Sequence, residues 1–154
     1  MSDRVLRRTL MVLSLIGLGI ATYLTYIHYR GIAPICAAGH GCETVQSSKW
    51  AHLAGIPVPV LGLVGYVGIF ASLFFRGELP RLATAGMAYL GFGFSCYLTY
   101  LELFKIHAIC QWCVGSAVTL TLIAIIATIR VFNAGADYEQ TESPATSSSV
   151  VGAG

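Results

Sequence analysis

The chain has 154 residues, of which 56% are hydrophobic and 10% charged, with nine Lys or Arg against seven Asp or Glu and a formal net charge of +2. A soluble domain carries about 25% charged residues, so this composition excludes an ordinary cytosolic globule, a disordered chain and a nucleic-acid binder, and indicates a membrane protein. The small net charge says little about partners, and the placement of charges between apolar runs says more.

The first apolar run covers residues 9–29. Arg4, Arg7 and Arg8 precede it as they would a signal peptide, but the run is longer than a signal core and no A-x-A cleavage site follows, so it reads as a retained span. A long loop, residues 30–55, comes next and carries Cys36 and Cys42. Further runs occupy residues 56–75, 82–104 and 109–129, each close to the roughly 20 residues that cross the hydrocarbon core. The expected fold is therefore an all-α membrane protein, a bundle of four transmembrane helices with one long loop on the outside. The short connections at 76–81 and 105–108 make spans two, three and four antiparallel neighbours. With the N-terminus inside, Arg4, Arg7, Arg8, Arg76, Arg81 and Arg130 lie cytoplasmic and Arg30, Lys49 and Lys105 outside, as the positive-inside rule prefers. Both termini are then expected in the cytoplasm. Residues 133–154 are rich in Ser, Thr, Gly and Ala and are expected to stay disordered, leaving residues 1–132 as the folded domain.

The chemistry lies in the cysteines. Cys36 and Cys42 bracket five residues with two glycines, which permits a small-loop disulfide. Cys110-Gln111-Trp112-Cys113 is a C-x-x-C at the first turn of span four, where the spacing puts both thiols on one helix face. The helix N-terminus favours the thiolate there. Each pair has a bland alternative. Cys36–Cys42 can be only a structural staple, and the C-x-x-C with His40, His107 and the loop cysteines can be assembled into a zinc site. Two dithiols on one face of a bundle, however, make a chain for thiol-disulfide exchange, and no metal is expected. Cys96, among Phe94, Ser95 and Tyr97, reads as a small buried residue. No iron–sulfur or haem pattern is present, so a lipid-soluble quinone is the fitting electron acceptor. Gly62, Gly65, Gly68, Gly86, Gly91, Gly93, Gly115 and Ser116 serve either close helix packing or a slot for a ring. Glu102 and His107 are candidate proton donors, although a carboxylate near a span end also snorkels to the interface.

Four motifs in order carry a resemblance: Cys36-x5-Cys42-Glu43-Thr44-Val45-Gln46-Ser47-Ser48-Lys49-Trp50, Gly55-Ile56-Pro57-Val58-Pro59-x-Leu61-Gly62, Tyr97-Leu98-Thr99-Tyr100-Leu101-Glu102, and Cys110-Gln111-Trp112-Cys113. From about residue 9 to 129 the sequence resembles the vitamin K epoxide reductase family, in particular its prokaryotic thiol-oxidising members. The resemblance implies a four-helix membrane bundle around a quinone, with the loop folded over its outer mouth and a short helix near residues 44–50. It implies that Cys36 and Cys42 take electrons from an extracytoplasmic thioredoxin-like (DsbA-like) protein, that Cys42 exchanges with Cys110, and that Cys113 faces the quinone. Ser48 resembles the family serine that orients the substrate, though from the residues alone it also reads as a surface or capping serine. Val58, Leu61, Gly62, Ala117 and Glu102 are the further positions expected near the ring. In the animal epoxide reductases the positions of Val58 and Ala117 carry asparagine and tyrosine. Their replacement argues against epoxide reduction and favours a ubiquinone- or menaquinone-type acceptor. Many bacterial relatives carry a fused thioredoxin-like domain after a fifth span; this sequence shows neither, so the partner is expected to be a separate polypeptide. The implied activity is thiol oxidation in a plasma (inner) membrane, supporting disulfide formation in exported proteins. The competing class is a non-enzymatic membrane scaffold held by a disulfide or metal clip.

Overall fold

The computed structural model describes residues 3–36, 41–53 and 55–147. Helix α1, Asp3–Arg30, buries one stripe, Leu6, Leu10, Ser14, Gly17, Ala21, Leu24 and Ile27, whose steps of three and four keep them on a single helical face. It ends because Gly31 adopts φ 63°, which lets the Gly31 and Ile32 amides donate to the His28 and Ile27 carbonyls and close the helix end. After the loop come α2, Gly41–Ser47, and a single 3-10 turn, Lys49–Ala51. Strands β1, His52–Leu53, and β2, Ile56–Pro57, form a minimal antiparallel hairpin with His52 opposite Pro57. Gly55 supplies the positive φ of its turn, 83°.

Helix α3, Val58–Ser72, starts with proline in its first turn, where the missing amide costs no hydrogen bond. Helix α4, Glu78–Leu101, passes into a widened π turn, Glu102–Ile106, which His107 terminates in the left-handed region at φ 53°. Helix α5 is Gln111–Ser147. The four long helices pack α1 against α3 and α5, and α4 against α5 and α3. Their shared core is Leu10, Ala21, Tyr66, Ile69, Leu73, Ala88, Ile123 and Ala124. The Tyr66 ring occupies the space that a Cβ at Gly17 would take, and Met87 does the same at Gly68.

The outer faces are apolar as well. Val12 and Leu15 on α1, Val64 on α3, Leu90 on α4 and Val118 and Ile125 on α5 are all exposed, a distribution suited to hydrocarbon rather than water. Asp3–Arg30 and Gln111–Ala136 are long and apolar enough to cross a membrane. Helix α3 has 15 residues, about 22 Å.

Several expected boundaries move. The second apolar run begins as strand, because Ile56 and Pro57 pair with the hairpin, and its helix stops at Ser72 rather than 75. The third helix begins earlier, at Glu78, with Gly77 at φ 134° making the turn into it. The fourth does not end near 129. It continues to Ser147, so residues 133–147 are helical rather than disordered: a nucleated helix propagates at one hydrogen bond per residue, and Ala134, Ala136, Glu139 and Gln140 include good helix formers. The short loop helix runs 41–47 rather than 44–50. Cys96, expected to be buried, is exposed, because the neighbouring Ser95 belongs to the buried stripe of α4 and the next residue is rotated by about 100°.

Candidate functional site

The site is assembled where the loop meets the start of α5. Cys36 and Cys42 form a disulfide with Cα atoms 6.3 Å apart. Cys42, in the first turn of α2, is 1% exposed. A Cβ at Gly41 would collide with the Ile109 carbonyl oxygen, so the start of α2 sits directly on the residue that precedes Cys110. This close approach brings the buried end of the loop disulfide to the C-x-x-C.

Cys110 and Cys113 are free thiols. Cys110 stands one residue before α5, its carbonyl accepting from the Val114 amide at 3.0 Å, and is fully buried. Cys113 is one turn further along on the same helix face and is half-buried. The residues between them fasten the loop. Trp112 Nε1 donates to the Ile35 carbonyl at 3.0 Å, and the Ile35 amide donates to Tyr23 Oη at 3.2 Å. The Tyr23 and Trp112 rings lie 4.8 Å apart. Cys36 therefore follows a residue tied both to α1 and to α5.

Below the loop the bundle encloses a cavity of about 150 Å³. Its walls are mainly apolar, with Leu24 from α1, Leu61 and Gly62 from α3, Leu98 from α4 and Leu120 from α5. Val45, Gln46, Ser48 and Trp50 of the loop cover it. Of the residues expected near a ring, Ser48, Val58, Leu61, Gly62, Glu102 and Cys113 line the cavity. Ala117 does not, since the lining stripe of α5 is Cys113, Ser116 and Leu120 and the residue after Ser116 is rotated from it by about 100°. Cys36, Cys42 and Cys110 stay behind the wall, so within the C-x-x-C the cavity meets Cys113.

Two polar features of the cavity were not singled out from the sequence. Gln46 Oε1 is buried with no hydrogen-bond partner among the described residues, on the underside of the loop. Tyr66 Oη lies 2.9 Å from Ser116 Oγ at the wall formed by α3 and α5. The π turn brings Glu102, 4% exposed, to the cysteines: its Oε2 accepts from the Cys110 amide at 3.3 Å. Ser48 Oγ donates to the Val45 carbonyl at 2.8 Å and must turn away from it to donate to a ligand. His107, the other candidate proton donor, is exposed. Among the described residues no group of three or more His, Cys, Asp or Glu could hold a metal ion; His40 lies outside the described residues.

Thiol-disulfide oxidoreductase LTO1 of Arabidopsis thaliana is 32% identical over 107 residues, covering 62% of this chain. The matched stretch is 28% of that longer protein. The model of the vitamin K epoxide reductase family matches residues 8–128, which takes in both cysteine pairs, the covering loop and the cavity. The chain belongs to the vitamin K epoxide reductase family.

Proposed function

We propose that the protein is a quinone-dependent thiol-disulfide oxidoreductase of the membrane. The observation that carries this reading is the division of labour within the C-x-x-C: Cys113 stands on the wall of an apolar cavity, while Cys110 is buried behind it beside the helix that bears Cys42. Electrons enter from an extracytoplasmic thioredoxin-like dithiol protein, which reduces the Cys36–Cys42 disulfide. The Cys42 thiolate then attacks the Cys110–Cys113 disulfide at Cys110 and releases Cys113, and attack of Cys36 on Cys42 releases Cys110 and re-forms the loop disulfide. Oxidation of that dithiol re-forms the sulfur–sulfur bond and passes two electrons and two protons to a ubiquinone- or menaquinone-type substrate. An oxidised loop pair with a reduced helix pair is the state that precedes quinone reduction in this scheme.

The cavity fits such a substrate on two grounds. Its walls are apolar where a ring and tail would lie, and Gln46 offers a buried amide with an unused oxygen, whose NH2 group is equally available on rotation to a ring oxygen. Val58 and Ala117 supply no polar contact, which favours a plain quinone over an epoxide. All four long helices are assigned as spans, with both termini cytoplasmic and the cysteines outside. Arg7 binds the Leu73 carbonyl, and Arg81 and Arg130 reach Asp3; this end of the bundle is the basic one, opposite the loop.

The test is anaerobic reduction of a soluble quinone by dithiothreitol, followed in the ultraviolet in detergent. The wild type is expected to accelerate it and the Cys110→Ser/Cys113→Ser double variant to match the uncatalysed rate. Equal rates for the two proteins would contradict the proposal.

A further inference from the structure

We propose that Glu102 is the acid–base group of the reaction, carrying protons from the cysteine pair to the quinone; this inference rests on the quinone-reductase reading above. Four observations converge on this carboxylate. It is 4% exposed near the end of an apolar helix, where an ionisable group is costly to keep without a use. Its Oε2 accepts from the Cys110 amide at 3.3 Å, which fixes the carboxylate against the start of the C-x-x-C. It lines the cavity beside Cys113, within the space the substrate would fill. The π turn that begins at Glu102 is fixed by that residue, whose carbonyl accepts from the His107 and Ala108 amides. The widened turn thus sets the carboxylate against the start of α5.

The ionisable groups facing it are Cys110 and Cys113 of the α5 segment. On α2, Cys42 is held in the disulfide and Glu43 is exposed, as are Lys105 and His107 on its own segment. Quinone reduction consumes two thiol protons and two electrons, forming one sulfur–sulfur bond and two O–H bonds. The ionised carboxylate takes the Cys113 proton, hands it to the nearer ring oxygen and is ionised again. The far ring oxygen takes its proton from water, and the Cys110 proton is released to water through the same carboxylate, so two S–H bonds are broken while one sulfur–sulfur and two O–H bonds form.

Glutamine separates this role from a positional one, because its amide oxygen still accepts from the Cys110 amide. In the dithiothreitol–quinone assay, E102Q is expected to fall at least tenfold near neutral pH, and the deficit is expected to shrink as pH rises and solution base replaces the carboxylate. E102D, a shorter carboxylate, is expected to recover part of the rate with a pH profile shaped like that of the wild type. Thermal melting in detergent identifies a variant that fails to fold, in which case E102D decides the matter. A wild-type rate and pH profile for E102Q, or an E102D loss with the profile of a protein lacking the base, overturns the inference. Failure of the wild type itself to reduce quinone overturns the underlying reading instead.

Discussion

At the residue scale, the two members of the C-x-x-C have different surroundings despite their spacing of three. Cys113→Ser removes the thiol on the cavity wall and is expected to abolish quinone reduction, whatever the reductant. Cys42→Ser breaks the chain one step earlier. It is expected to lower turnover with a protein dithiol far more than turnover with dithiothreitol, which is small enough to reach the C-x-x-C directly. Cys96→Ala, on the exposed face of α4, is expected to be silent with both reductants, and a large loss there would mean that the relay has been miscounted. The two cysteine pairs stand out in the sequence because residue type and spacing mark them, whereas Ser48 stands out only through the family resemblance. Gln46 and the Tyr66–Ser116 pair do not stand out: a glutamine after Val45 and a tyrosine in an apolar run become polar cavity groups only through tertiary packing. The exposure of Cys96 was not legible for the same reason, since an apolar neighbourhood in sequence does not say which face of its helix a residue takes.

At the scale of elements, the loop is held by few but specific contacts. Replacing Trp112 by Phe keeps an aromatic ring near Tyr23 and removes the 3.0 Å bond to the Ile35 carbonyl, a change of about 1 kcal/mol. The expected outcome is faster proteolysis of the loop and slower turnover with a protein dithiol, with little change in melting temperature. The opposite pattern belongs to Gly17. Its place against Tyr66 leaves no room for a methyl group, so Gly17→Ala is expected to destabilise the α1–α3 contact by about 1–3 kcal/mol, read as a lowered melting temperature in detergent. The order of helices was legible from the apolar runs, since length and hydropathy mark them directly. Their ends were not. The hairpin takes Ile56 and Pro57 out of α3, and the π turn at Glu102 depends on how α4 must meet α5, which no local pattern encodes.

At the scale of the molecule, the two ends of the bundle differ in chemistry. One end gathers the loop, the disulfide and the C-x-x-C. At the other, Arg130 Nε donates to Asp3 Oδ1 at 2.7 Å and Arg81 lies 3.8 Å from the same atom, tying α1, α4 and α5 together. The Arg130 side chain is 7% exposed, so Asp3→Ala strands a buried cation and is expected to cost about 1–3 kcal/mol, again read by thermal melting. Arg7 adds bonds to the Leu73 and Phe74 carbonyls just past the end of α3. Composition made the membrane setting legible, and the motif order made the family legible, because both are properties of the whole sequence. The helical continuation of α5 was not, since a polar, small-residue composition was taken to outweigh the propagation of an established helix.

The central claim is that electrons leave the protein from the Cys110–Cys113 dithiol to a quinone. The most direct measurement is a single turnover: fully reduced protein, freed of reductant and kept anaerobic, is mixed with one equivalent of soluble quinone, and the hydroquinone formed is counted against thiols mapped by mass spectrometry after alkylation. The expected result is one hydroquinone for each disulfide formed, with early disulfide at Cys110–Cys113 and later transfer of the oxidation to Cys36–Cys42. Thiols that persist at Cys110 and Cys113 while the quinone stays oxidised would contradict it.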